Sequence, residues 1–123
     1  MSTDFKEFVV RRPRHEAITS TSCHVWLELI SREPCAQRNA ELVDLSRQGL
    51  QLKLDAPLEP EESVVVRIQH IATRLDLKFA GRIRWQRACE DGSWAIGCVF
   101  DEPLGYEALG ELFLSGILSM DAD

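Results

Sequence analysis

From Cys23 to Phe100 the chain alternates apolar and polar residues with a period of two, interrupted only at short turns. Val25, Leu27 and Leu29 alternate with His24, Trp26 and Glu28, which predicts a strand over 23–30 before the turn-forming Ser31-Arg32-Glu33-Pro34 stretch. Residues 37–45 read as a less regular strand that runs into Ser46-Arg47-Gln48-Gly49. Leu50, Leu52 and Leu54 then alternate with Gln51, Lys53 and Asp55 until Pro57 and Pro60 break the pattern, and residues 63–70 form another strand. The clearest alternation follows, with Leu75, Leu77, Phe79, Gly81, Ile83 and Trp85 on a face predicted to be core, and Asp76, Lys78, Ala80, Arg82, Arg84 and Gln86 on a wet one. Cys89-Glu90-Asp91-Gly92 is a hairpin turn with Asp-Gly at its tip, from which residues 93–100 return antiparallel.

Six strands joined by short turns, with no helical crossovers between them, predict an all-β fold: an antiparallel sheet closed into a small barrel that leaves few free edges. Gly81 and Gly97 suit bends in such a barrel. After Pro103 the period changes, and Leu109, Leu112, Phe113, Ile117 and Met120 recur at three and four, which predicts one amphipathic helix over 104–119. That helix needs a partner: it caps the barrel, packs on a second copy of the chain, or offers its apolar stripe to another protein. Residues 1–22 keep no period and read as an arm, so the expected organisation is an arm over 1–22, a barrel over 23–101 and the helix, all in one domain.

Composition narrows the function. A chain of 123 residues buries roughly two thirds of its unfolded surface, enough for a core but not for a large internal cavity, so a small ligand is expected on the outside of the barrel. Residues 1–100 carry 14 acids and 14 bases, whereas 101–123 carry six acids and no base. A neutral body with an acidic tail opposes nucleic-acid binding, which runs on many phosphate contacts, yet Arg11, Arg12 and Arg14 form a local cluster able to grip one small anion. The spacing of Cys23, Cys35, Cys89 and Cys98 matches neither a zinc knuckle nor a redox pair, and the thiols read as small core fillers. No metal or cofactor is expected. With no leader and no apolar run long enough to span a bilayer, the chain reads as cytoplasmic, without a membrane role. No GxSxG elbow, phosphate-binding loop or HxxxH pair is present, so no nucleophile, base or metal site is nominated and no catalysis is expected.

The chemistry concentrates in the arm and in the turn Asp44-Leu45-Ser46-Arg47-Gln48-Gly49. Arginine's planar fork grips a phosphate or a guanine edge, and its flat face stacks on a base. Asp44 and Ser46 bring hydrogen-bonding groups, Gly49 permits a positive backbone dihedral, and Arg47 is either a surface residue or a further phosphate contact. Trp85 and Trp94 are read as core. Trp26, out of phase with its neighbours, packs beneath the arm or helix or presents a stacking surface, and His24 and His70 read as surface polar residues.

The ordered set of arm, turn, closing hairpin (Gly81-Arg82-Ile83-Arg84-Trp85, Asp91-Gly92, Trp94 to Phe100) and helix resembles the PilZ domain family across roughly residues 8–119. That resemblance implies a six-stranded barrel with a C-terminal helix and a receptor for the bacterial second messenger cyclic di-GMP. The family's Asp/Asn-x-Ser-x-x-Gly motif is intact as Asp44, Ser46 and Gly49, while its Arg-x-x-x-Arg motif is degenerate: four residues on from Arg11 stands His15, and four on from Arg12 stands Glu16. By resemblance, Arg11 and Arg12 clamp a phosphate or guanine, Asp44 accepts from a guanine or holds an arginine in place, Ser46 adds a polar contact, Gly49 lets the backbone approach, and Arg14 and His15 stand in reserve. The alternative is a degenerate domain of the same fold that does not bind the dinucleotide and acts as a protein-interaction adaptor.

Overall fold

The alternating stretches form strands because each can bury one face and wet the other. In the computed structural model, which describes residues 15–18, 23–30 and 36–118, these are β1 (His15–Glu16), β2 (Cys23–Leu29), β3 (Ala36–Leu45), β4 (Gly49–Leu54), β5 (Ser63–His70), β6 (Leu75–Ala88) and β7 (Trp94–Phe100), followed by one helix, α1 (Tyr106–Leu114). All pairings are antiparallel, in the order β1-β3-β2-β5-β6-β7-β4. A β3–β4 pairing closes the six longer strands into a barrel. Strand β3 serves both seams, since Ala36–Ala40 pair with β2 and Glu41–Leu45 pair with β4 across an irregularity between Leu42 and Asp44.

The inward positions fill the barrel with Leu27, Leu29, Leu45, Leu52, Val66, Ile68 and Ile96, each fully buried. Helix α1 adds Leu112 to this core, with Leu104 before it and Ile117 and Leu118 after it. The helix is shorter than the 104–119 its periodicity predicts. Ile117 N–H donates back to Leu112 O at 3.1 Å and Gly116 takes a φ of 78°, a left-handed residue that ends a helix at little cost. Beyond it Leu118 bridges to Ala17, and Ile18 N–H donates to Ile117 O at 2.7 Å, so the chain after the helix runs beside the described part of the arm.

Trp85 and His70 depart from their predicted surroundings. Trp85 is exposed rather than part of the core. His70 is buried rather than on the surface, with Nδ1 2.9 Å from the Thr73 hydroxyl. Trp26 packs on the outer face of its own sheet, 4.6 Å from the His24 ring and beneath the Arg67 guanidinium, which also bonds Glu28 at 3.3 Å and Asp76 at 3.2 Å. At the tip of the β6–β7 hairpin, the Ser93 hydroxyl and amide and then Lys53 hold the Asp91 carboxyl far below the usual carboxylate range.

Candidate functional site

The β3–β4 turn is braced from inside. Ser46 N–H donates to Gly49 O at 2.8 Å, while the Ser46 hydroxyl donates to the same oxygen at 3.4 Å and accepts from Gln48 N–H at 3.2 Å. Ser46 is only 1% exposed. Its hydroxyl is occupied in shaping the turn, which is how short polar side chains stabilise such loops. Gly49 is absent from the positive-φ residues, so its freedom of dihedral is not what the turn uses. It is needed for space: a Cβ there would run into the Cys98 carbonyl oxygen and lie 3.1 Å from Val99 Cα. Gly49 therefore lets β4 lie close against β7.

Asp44 and Gly49 open onto a surface groove of about 390 Å³ that also takes in Gln48, Gln51, Arg84 and Trp85. Its geometry follows from register. Asp44 pairs with Gln51, Gln51 with Gly97, and Gly97 with Trp85, so one row crosses the outside of β3, β4, β7 and β6. The flanking rows are Gly49, Val99 and Arg82 on one side, and Lys53, Ala95 and Arg87 on the other. Strand β7 thus supplies a low floor of small residues, bordered by polar side chains of β4 and by exposed Arg82, Arg84 and Arg87 of β6.

Trp85 reaches this surface through a β-bulge. The β6–β7 register shifts between Ile83 and Trp85, so Arg84 is an extra residue and the alternation inverts after it. Trp85, predicted inward, stands 43% exposed, with the Arg87 guanidinium 5.5 Å from its ring centroid. Gln86, predicted on the wet face, takes the inward phase and exchanges two hydrogen bonds with the Leu58 backbone, at 2.7 and 2.8 Å. A Cβ on Gly97 would lie 2.6 Å from Trp85 Cδ1, so the indole rests directly on that glycine. The sequence carries one signal of this arrangement: beyond Trp85, the Gln86-Arg87 pair offers no apolar residue to sustain the inward face.

The other predicted residues are placed differently. His15 pairs with fully buried Leu45, and its ring meets Phe113 of α1 edge-on at 4.9 Å, while Glu16 is the residue that pairs with Asp44. Arg11, Arg12 and Arg14 lie outside the described residues. Arg47 is half-buried and turned to the helix: Nε donates to Leu104 O at 2.7 Å, Nη1 donates to the Tyr106 hydroxyl at 3.1 Å, and the guanidinium sits 4.1 Å over the Tyr106 ring. Among the described residues no group of histidine, cysteine and carboxylate side chains is placed to hold a metal ion, and no helix is long and apolar enough to cross a membrane. Burial pushes the Cys98 thiol, just beneath the groove, up to about 11.

A family model for the PilZ domain matches residues 14–113. No curated protein matches the chain. Among solved structures, the chain is similar to the Bacillus subtilis inhibitor of motility (MotI/DgrA), with a TM-score of 0.54 at 12% identity over 85% of this chain and 48% of that one. The chain therefore spans about half the length of that protein, and the likeness is one of fold.

Proposed function

The chain belongs to the PilZ domain family, whose members are non-catalytic modules associated with cyclic di-GMP signalling, and on that premise we propose that it is a receptor that binds cyclic di-GMP in the groove beside the Asp44-to-Gly49 turn. The observation that carries the reading is the single row of Asp44, Gln51, Gly97 and Trp85 on the outside of the barrel. An exposed indole offers a guanine its π-face, a contact worth about 1–3 kcal/mol per base. The Asp44 carboxylate accepts from a guanine N1–H and N2–H. Exposed Arg82 and Arg84 offer forked donors to phosphate oxygens, and the small floor lets a flat ligand lie close to the sheet.

Strand β1 runs antiparallel to β3, with His15 opposite Leu45 and Glu16 opposite Asp44, so the chain enters it from the side of the Ser46–Gly49 turn. This direction supports a role for Arg11, Arg12 and Arg14 in covering a ligand held there. In this reading Ser46 shapes the turn rather than touching the ligand, and His15 secures the arm to the helix.

Calorimetric titration with cyclic di-GMP, with cyclic di-AMP and GTP as controls, tests the assignment. Saturable binding confined to cyclic di-GMP is expected, and Trp85→Ala should weaken it roughly tenfold with the fold intact. Absence of saturation up to a few hundred micromolar, on the order of −5 kcal/mol, overturns it. One observation favours the adaptor reading instead: Leu114 and Ile71 are 88% and 83% exposed on segments that the Thr73–Ser115 hydroxyl contact of 2.9 Å holds together. If titration fails, loss of a specifically retained protein on Leu114→Asp would support that second reading.

A further inference from the structure

The candidate turn is tied to the start of α1 by contacts that a passive surface loop would not require. Arg47 stands inside the motif, yet its guanidinium takes the Leu104 carbonyl and the Tyr106 hydroxyl and lies over the Tyr106 ring. Its own carbonyl accepts from Leu104 N–H at 2.7 Å, and the carbonyl of the adjacent Gln48 accepts from Phe100 N–H at 2.8 Å. Leu104, the residue gripped from both sides, is only 4% exposed and belongs to the core cluster that also holds Leu112 of the helix. Arg47 is flanked by Ser46, which braces the turn, and by Gln48, which lines the groove. Displacement of the turn therefore moves Arg47, and Arg47 has no route to move without changing its hold on Leu104 and Tyr106.

We propose that Arg47 is a positioning residue that couples the state of the groove to the Leu104–Tyr106 segment and helix α1. The ligand half of this inference rests on the cyclic di-GMP reading; the coupling itself rests on the Arg47 contacts alone. A ligand that orders residues 44–49 tightens the Arg47 grip and steadies the start of the helix. Such coupling is reciprocal, so loosening the helix start must loosen the turn.

Two arms of a hydrogen-exchange experiment on the full chain separate the two claims. In the ligand-free protein, Tyr106→Ala is expected to speed exchange at residues 46–48 several-fold, and Arg47→Met to speed exchange at 104–109 by a similar factor, with Ile68 in the barrel unchanged in both. In an Arg47→Met background, Tyr106→Ala should have no further effect on 46–48. With cyclic di-GMP added at concentrations that saturate each protein, exchange at 104–109 should slow in the wild type but not in Arg47→Met. An effect of Tyr106→Ala on the turn that persists without Arg47, no effect at all in the ligand-free arm, or equal slowing by ligand in both proteins each overturns the coupling. If cyclic di-GMP fails to bind either protein, the receptor reading falls, and the ligand-free arm still decides the coupling.

Discussion

A methyl group added at position 49 and one added at position 97 meet different obstacles. At Gly49 the obstacle is the backbone of β7, which cannot yield without breaking the β4–β7 ladder, so Gly49→Ala is expected to cost about 2 kcal/mol and to lower Tm by several degrees in thermal unfolding. At Gly97 the obstacle is the Trp85 indole, a side chain open to solvent that can lift away. Gly97→Ala should leave Tm nearly unchanged while shifting tryptophan emission and weakening any ligand that stacks there. Cys98 adds a pH dependence of definite sign. Its thiol ionises near 9.0 when unfolded and near 11 in the fold because burial disfavours the thiolate, so stability should fall as pH rises through that interval. Cys98→Ala should remove that part of the alkaline loss in a pH series of denaturant midpoints. At this scale the sequence tells which residues matter better than what they do. Asp-x-Ser-x-x-Gly is visible in the chain, but that Ser46 faces into its own turn depends on hydrogen bonds that only the folded loop makes.

Among elements, strands were legible because a half-buried strand writes its burial into alternate letters, and the barrel strands start and end within about two residues of the alternation. The bulge at Arg84 was not, since a period-two pattern carries no mark for an inserted residue until its phase fails. The helix was legible in kind but not in length: Ile117 continues the helical spacing while belonging to the turn that follows. Leu112 is the buried residue of α1 and joins it to the barrel. Leu112→Ala should cost about 3 kcal/mol and speed amide exchange throughout 106–114, with a smaller effect on β5 and β6. Since His15 rests on Phe113 and Arg47 on Tyr106, the same substitution should also loosen the described arm and the motif turn, which exchange at 17–18 and 46–48 would report.

For the whole molecule, an all-β barrel with a terminal helix followed from six alternating stretches and one change of period, and the family followed from the order of motifs along the chain. The groove did not, because it is made of residues from four strands that are neighbours only after the barrel closes. A ligand bound there should stabilise the entire fold by mass action, about 2.7 kcal/mol at a hundredfold excess over Kd, and cyclic di-GMP but not cyclic di-AMP should raise Tm accordingly. The topology gives that groove one more property. Strands β2, β3 and β4 form one hairpin meander and β5, β6 and β7 another, and the two are joined by the β2–β5 and β4–β7 ladders. Asp44 and Gln51 belong to the first meander, Gly97 and Trp85 to the second, and the groove straddles the β4–β7 ladder between them. A cut in the connection between Leu54 and Ser63 would leave the two sides of the row on separate fragments, so a ligand of the groove would hold the fragments together as a molecular glue.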